Sequence, residues 1–141
     1  MKQSIQKLWF ADGRIWILTS DDQERGLPLE VFPALFYATD AERNAFYLWD
    51  ENRSIRWDGL DEDIHISNFF EEETVDYDNE VNRLLSRFPY LDMKAFADYI
   101  GIHWTLLARL KFGVVKASES ILKKIRDGII AIGKEMSAAV L

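Results

Sequence analysis

Hydrophobic and polar positions change their rhythm once along this chain. In the first seventy residues apolar and aromatic side chains come in short runs. Residues 5–10 and 14–19 are two such runs, with Ala11-Asp12-Gly13 between them. β-Branched and aromatic residues on either side of an Asp-Gly pair predict a β-hairpin. Asp21-Asp22-Gln23 predicts another turn, and residues 25–29 a third strand that Pro28 places at an edge or ends. Residues 31–39 are apolar, and Asp40 is a suitable N-cap for the helix-favouring residues 41–45. Residues 46–49 and 54–57 flank Asp50-Glu51-Asn52-Arg53, a second hairpin, and residues 64–70 read as a closing strand or a short helix. Together they predict a small α+β unit, one antiparallel sheet with a short helix against it.

After residue 80 the spacing is helical. Apolar residues recur at Leu84, Leu85 and Phe88, at Phe96, Ala97 and Ile100, and at Leu106, Leu107 and Leu110. They continue at Ile121, Leu122, Ile125, Ile129, Ile132 and Met136. Steps of three and four residues are the helical period. Asp92 caps a helix over residues 93–100, and Gly101 ends it as a residue that accepts positive φ. His103 or Thr105 opens the next helix, which runs to Phe112 before Gly113 stops it. Ser118 caps a long last helix with Glu119 in its first turn. Two short helices joined by a tight glycine turn are the core of a helix-turn-helix, whose second helix enters the major groove of DNA.

Between the two rhythms lies an acidic run, residues 71–80, with Glu71, Glu72, Glu73, Asp76, Asp78 and Glu80. Such a run predicts a solvated linker. The expected organisation is therefore a domain over 1–72, a linker over 73–80 and a helical domain over 81–141. Charge follows the same division. Residues 1–80 hold 19 acids and 7 bases, while residues 81–141 hold 5 acids and 10 bases. The whole-chain net of −7 argues against a polyanion partner, but the second part alone reverses that argument. A bland alternative is that two small domains simply differ in charge.

Composition narrows the chemistry. At 48% hydrophobic residues the chain is globular rather than disordered. No uncharged stretch approaches the ~18 apolar residues of a membrane span, and the first residues carry no apolar secretory core. A soluble cytoplasmic protein is expected. With no cysteine, disulfides, thiolate metal sites and cysteine nucleophiles are excluded. His65 and His103 lack a third ligand nearby, so no metal site is expected. Asp58, Asp61, Glu62 and Asp63 lack the order of a calcium loop and read as a solvated acidic loop. Ser54 and Ser67 lie near His65 without a nucleophile elbow, and no glycine-rich phosphate loop occurs. No catalytic residue, cofactor or enzymatic role is expected. Trp9, Trp16, Trp49 and Trp57 read as sheet-face packing, since an acidic surface repels phosphate.

Two resemblances add to this. The run Phe96-Ala97-Asp98-Tyr99-Ile100-Gly101-Ile102, with Gly113 twelve residues after Gly101, resembles the signature of the lambda-repressor-like, or Xre-type, helix-turn-helix family. Leu107 and Leu110 match its buried recognition-helix positions, and Ser118 its last-helix cap. His103, Trp104, Lys111 and Ala117 depart from the usual pattern. Residues 14–19, 27–29, 32–35 and above all Ile55-Arg56-Trp57-Asp58-Gly59-Leu60-Asp61-Glu62-Asp63-Ile64 resemble the bacterial family called domain of unknown function 2442. Some members of that family join this domain to a lambda-repressor-like one in the order seen here.

The resemblances imply an α+β domain followed by an all-α helix-turn-helix domain in a bacterial, antitoxin-like regulator. Trp104, Thr105 and Arg109 would face base edges, with Lys94, Lys111 and Lys116 near phosphates. Duplex DNA is the expected partner, the protein is expected to be a homodimer, and the acidic domain is expected to dimerise or to meet a protein, such as a small basic toxin. The rival expectation is an interaction module whose helix-turn-helix scaffold does not bind DNA. The bulk of Trp104 and the modest positive charge favour it.

Overall fold

The computed structural model describes residues 2–141. Its first unit, closing at Val75, holds two three-stranded antiparallel sheets rather than the single sheet expected. β1 (Ile5–Ala11), β2 (Arg14–Thr19) and β3 (Glu24–Pro28) form one, in the order β1-β2-β3. Asp12 and Gly13 both have positive φ, at 55° and 71°, the twist that a two-residue hairpin turn needs. β4 (Tyr47–Trp49), β5 (Ser54–Trp57) and β6 (Glu62–His65) form the other, in the order β4-β5-β6. Two short helices lie between the sheets in sequence, α1 (Pro33–Phe36) and α2 (Asp40–Asn44). Thr39 rather than Asp40 caps α2, in a reciprocal box with Glu42. The stretch 64–70, open from sequence, divides into the end of β6 and a 3-10 turn over Ile66–Phe70.

Alternation places Ile15, Ile17 and Leu27 on the buried side of the first sheet, and Ile55, Trp57 and Ile64 on that of the second. Each fully buried apolar side chain contributes roughly 1.5–3 kcal/mol. Trp57, buried at 1% exposure, keeps its indole N–H satisfied by the Arg43 carbonyl at 2.8 Å. Arg43 in turn donates from Nε to Leu35 O at 2.7 Å and from Nη2 to Phe36 O at 2.8 Å, which holds α2 against the end of α1. Backbone bonds from Ile5 N to Asn52 O (2.7 Å) and from Ile66 N to Arg53 O (2.8 Å) tie the start of β1 and the start of the 3-10 turn to the β4–β5 turn.

The second unit begins at Asp76. It holds α3 (Glu80–Ser86), α4 (Met93–Ile100), α5 (Trp104–Phe112) and α6 (Glu119–Ala139). A side chain caps each helix: Asn79, Asp92, His103 and Ser118 respectively accept a backbone N–H of the first turn. Val81, Phe96, Ala97, Leu107, Leu110 and Ile125 form the buried cluster, and all but Val81 are positions at which the helical period recurs. α6 reaches this cluster at Gly128, where a Cβ would stand 2.4 Å from the Ile100 methyl, so a larger residue would push the two helices apart.

The acidic run does not behave as one solvated segment. Asp76 N–H donates to Phe112 O at 2.9 Å, Tyr77 meets the Phe112 ring edge-on at 5.7 Å, and Asn79 and Glu80 open α3. Residues 76–80 thus belong to the helical unit, whose balance from Asp76 onward is 8 acids against 10 bases.

Candidate nucleic-acid interface

α4 ends because Gly101 takes φ 78°. Its N–H and that of Ile102 then return to Asp98 O (3.1 Å) and Ala97 O (3.0 Å), which satisfies the last carbonyls of the helix. The chain turns through Ile102, and His103 starts α5. The His103 Nδ1 accepts the Thr105 N–H at 3.2 Å and lies 2.7 Å from the Thr105 hydroxyl. An acceptor at Nδ1 requires the ring proton on Nε2. The cap therefore fixes both the start of α5 and the position of Thr105.

Thr105 and Arg109 follow one another on one face of α5, separated by one turn. Both are half-buried. Trp104 occupies another face. It packs against the buried cluster, stacks on His103 with centroids 6.4 Å apart, and is covered by the Lys94 ammonium 4.5 Å from its ring. A cation held over an indole is favourable, by ~0.5–1 kcal/mol near a surface. Lys94 and Trp104 are thus brought together as a pair. Their joining has no local sequence signal, since they are ten residues apart on different helices.

The remaining candidates stand apart. Lys111 lines a cleft of about 260 Å³ with Leu85, Ser86, Phe88 and Met93, on the side of α5 turned to the α3–α4 connection. Its carbonyl accepts from Asn79 Nδ2 at 3.0 Å. Lys116 is exposed and lines a second cleft, of about 480 Å³, with Asp76, Glu80, Val114 and Leu122. Three other bases are tied to carboxylates: Arg83 to Asp78 at 2.7 Å, Lys123 to Asp127 at 2.7 Å, and Arg126 to Glu80. Lys94, Lys111 and Lys116 are not in such pairs among the described residues.

In the first unit the run after Trp57 is organised by one cation. Arg56 donates to Asp58 at 3.0 Å, to Asp61 at 2.9 Å and to Asp63 at 2.9 Å. These carboxylates hold the guanidinium more firmly charged, the bond to Asp61 foremost. His65 caps the turn Ile66–Phe70 as His103 caps α5, its Nδ1 accepting the Ser67 N–H at 3.1 Å. Among the described residues no helix is long and apolar enough to cross a membrane.

The family model described as "Protein of unknown function (DUF2442)" matches residues 5–75, about half of the chain. No curated protein and no solved structure matches it.

Proposed function

The chain belongs to the DUF2442 family of proteins of unknown function, and from that membership and the helical unit behind it we propose a bacterial, cytoplasmic, non-enzymatic DNA-binding regulator of the antitoxin-like kind. The observation that carries this reading is the α4–Gly101–α5 arrangement. Two short helices meet at a left-handed glycine, and the second opens on a capped turn with Thr105 and Arg109 on one face. In a lambda-repressor-like helix-turn-helix that face enters the major groove. Arg109 would then read a guanine edge and Thr105 a neighbouring base, while Lys94 and Lys116 neutralise phosphates. As a homodimer the protein would address two half-sites one helical turn apart. The first unit, with 16 acids against 7 bases, would serve as the dimerisation or protein-binding part.

Fluorescence anisotropy of the full chain against selected and random duplexes tests the reading. Four to six phosphate contacts per half-site, about eight to twelve for the dimer, give a slope of about −7 to −11 in log affinity against log salt. Flat or absent binding favours the second reading, an interaction module that does not bind DNA. A specific observation supports that rival: Trp104 is engaged with Lys94 and the core, and the helical unit carries a surplus of only two bases.

A further inference from the structure

The register of the second sheet puts Tyr47, Arg56 and Asp63 in one row and Trp49, Ser54 and His65 in the next, all on one face. The opposite face carries the buried Ile55, Trp57 and Ile64. Burial therefore accounts for one side of this sheet and leaves two large aromatics on the other. Tyr47 and Trp49 are each 48% exposed. They stand on β4, an edge strand whose backbone has a strand partner on one side only. Beside them Arg56 balances one of the three charges on Asp58, Asp61 and Asp63, and the Tyr47 hydroxyl donates to Asp58 at 3.2 Å. Aromatic faces and surplus carboxylates thus share one strip, and both attract cations.

We propose that this strip is a docking surface for an extended basic segment of a partner protein, which adds to the open edge of β4. This rests on the protein-binding reading of the acidic unit and names its surface and the chemistry of its partner. An added strand points alternate side chains to one face, 6–7 Å apart. Lysine or arginine at every second position would place one cation over the Tyr47–Trp49 pair and another beside Asp58, which the Tyr47 hydroxyl reaches, while Asp61 and Asp63, across β5, act on it through their field. A second copy of this chain does not meet that requirement, because among the described residues no strand carries bases at alternate positions.

The test uses the full chain and fluorescein-labelled peptides of alternating threonine and lysine or arginine, with a threonine–glutamate peptide as control. The basic peptides bind saturably and the acidic one does not. Tyr47→Ser with Trp49→Ser weakens binding about tenfold, a loss that two cation–aromatic contacts account for. The conservative Trp49→Phe retains most of the affinity, and Asp61→Asn with Asp63→Asn flattens the salt dependence. Equal affinity in the wild type and the double serine variant overturns the strip and leaves the protein-binding reading standing. Absence of binding by every basic peptide at low salt overturns both. Self-association in sedimentation that the double serine variant abolishes puts a second copy on β4 and overturns the foreign partner.

Discussion

Gly113 and Asp76 approach so closely that a Cβ on Gly113 would stand 1.9 Å from the Asp76 carbonyl oxygen. The contact is backbone against backbone, and the Asp76 N–H is itself bonded to the neighbouring Phe112 carbonyl. Gly113 also has φ 73°, so the position excludes side chains for two separate reasons. Gly101 has φ 78° but nothing within 4 Å of its missing Cβ. Gly101→Ala is therefore expected to lose only the conformational term, about 1 kcal/mol, the cost of an L side chain at left-handed φ. Gly113→Ala is expected to lose more than twice that, since the start of the unit must also move. Urea denaturation of the two variants, read on the helical signal, measures the difference.

The His103 cap gives a second expectation. Replacing a side-chain acceptor at an N-cap by alanine costs about 1 kcal/mol. His103→Ala is expected to lower stability by that amount, and His103→Ser to recover most of it by accepting the same N–H. Under the DNA-binding reading the alanine variant also weakens binding to every duplex, because the cap positions the whole first turn of α5.

Acid response is expected to involve Asp21. Its carboxylate accepts from the Thr19 hydroxyl at 2.5 Å, then from Gln3 at 2.9 Å and Gln23 at 2.9 Å, and these bonds lower its pKa from 3.8 to about 2. A depressed folded-state value means that the contribution is fully present above the unfolded value of 3.8 and is lost as pH falls through about 2. Asp21→Asn is expected to flatten the stability curve between pH 4 and pH 2, to be less stable than the wild type above pH 4, and to converge with it toward pH 2. Thermal melts of both proteins across that window are the measurement, and parallel curves would count against it.

Arg109 is the residue expected to carry sequence preference if the chain binds DNA. Arg109→Ala should cut discrimination between a selected operator and random duplex about tenfold, the range of one bidentate guanine contact. Lys116→Ala should weaken all sequences alike, as a phosphate contact does. A loss of stability with preference intact would make Arg109 a structural residue instead.

How much of this was legible in the sequence depended on how local each cause is. The β1–β2 hairpin was readable because Asp12-Gly13 encodes its own turn, and α6 because Ser118 and the apolar period lie within the helix itself. Two sheets in place of one could not be read, since strand pairing is decided between residues far apart. The start of α3 inside the acidic run was missed for a subtler reason. A carboxylate in the first turn favours a helix N-terminus, so Glu80 that looked like linker charge is also helix-start chemistry, with Asn79 as the cap. The candidate interface was legible only in part. Thr105 and Arg109 share a face by spacing alone, whereas the Lys94–Trp104 pairing and the turning of Lys111 toward Leu85 and Met93 depend on how α4 and α5 pack.

The chain has two histidines, and each unit holds one of them at a cap with the same hydrogen bond: Nδ1 accepts the N–H two residues on, from Ser67 in one unit and Thr105 in the other. In the neutral rings this bond places the remaining proton on Nε2 while the units are folded. In nitrogen-15 spectra the two imidazoles form a pair of internal gauges, one per unit. Each should lose its tautomer signature when its own unit melts. Without any added label, a single sample would then say whether the family domain and the helical unit unfold together or in turn.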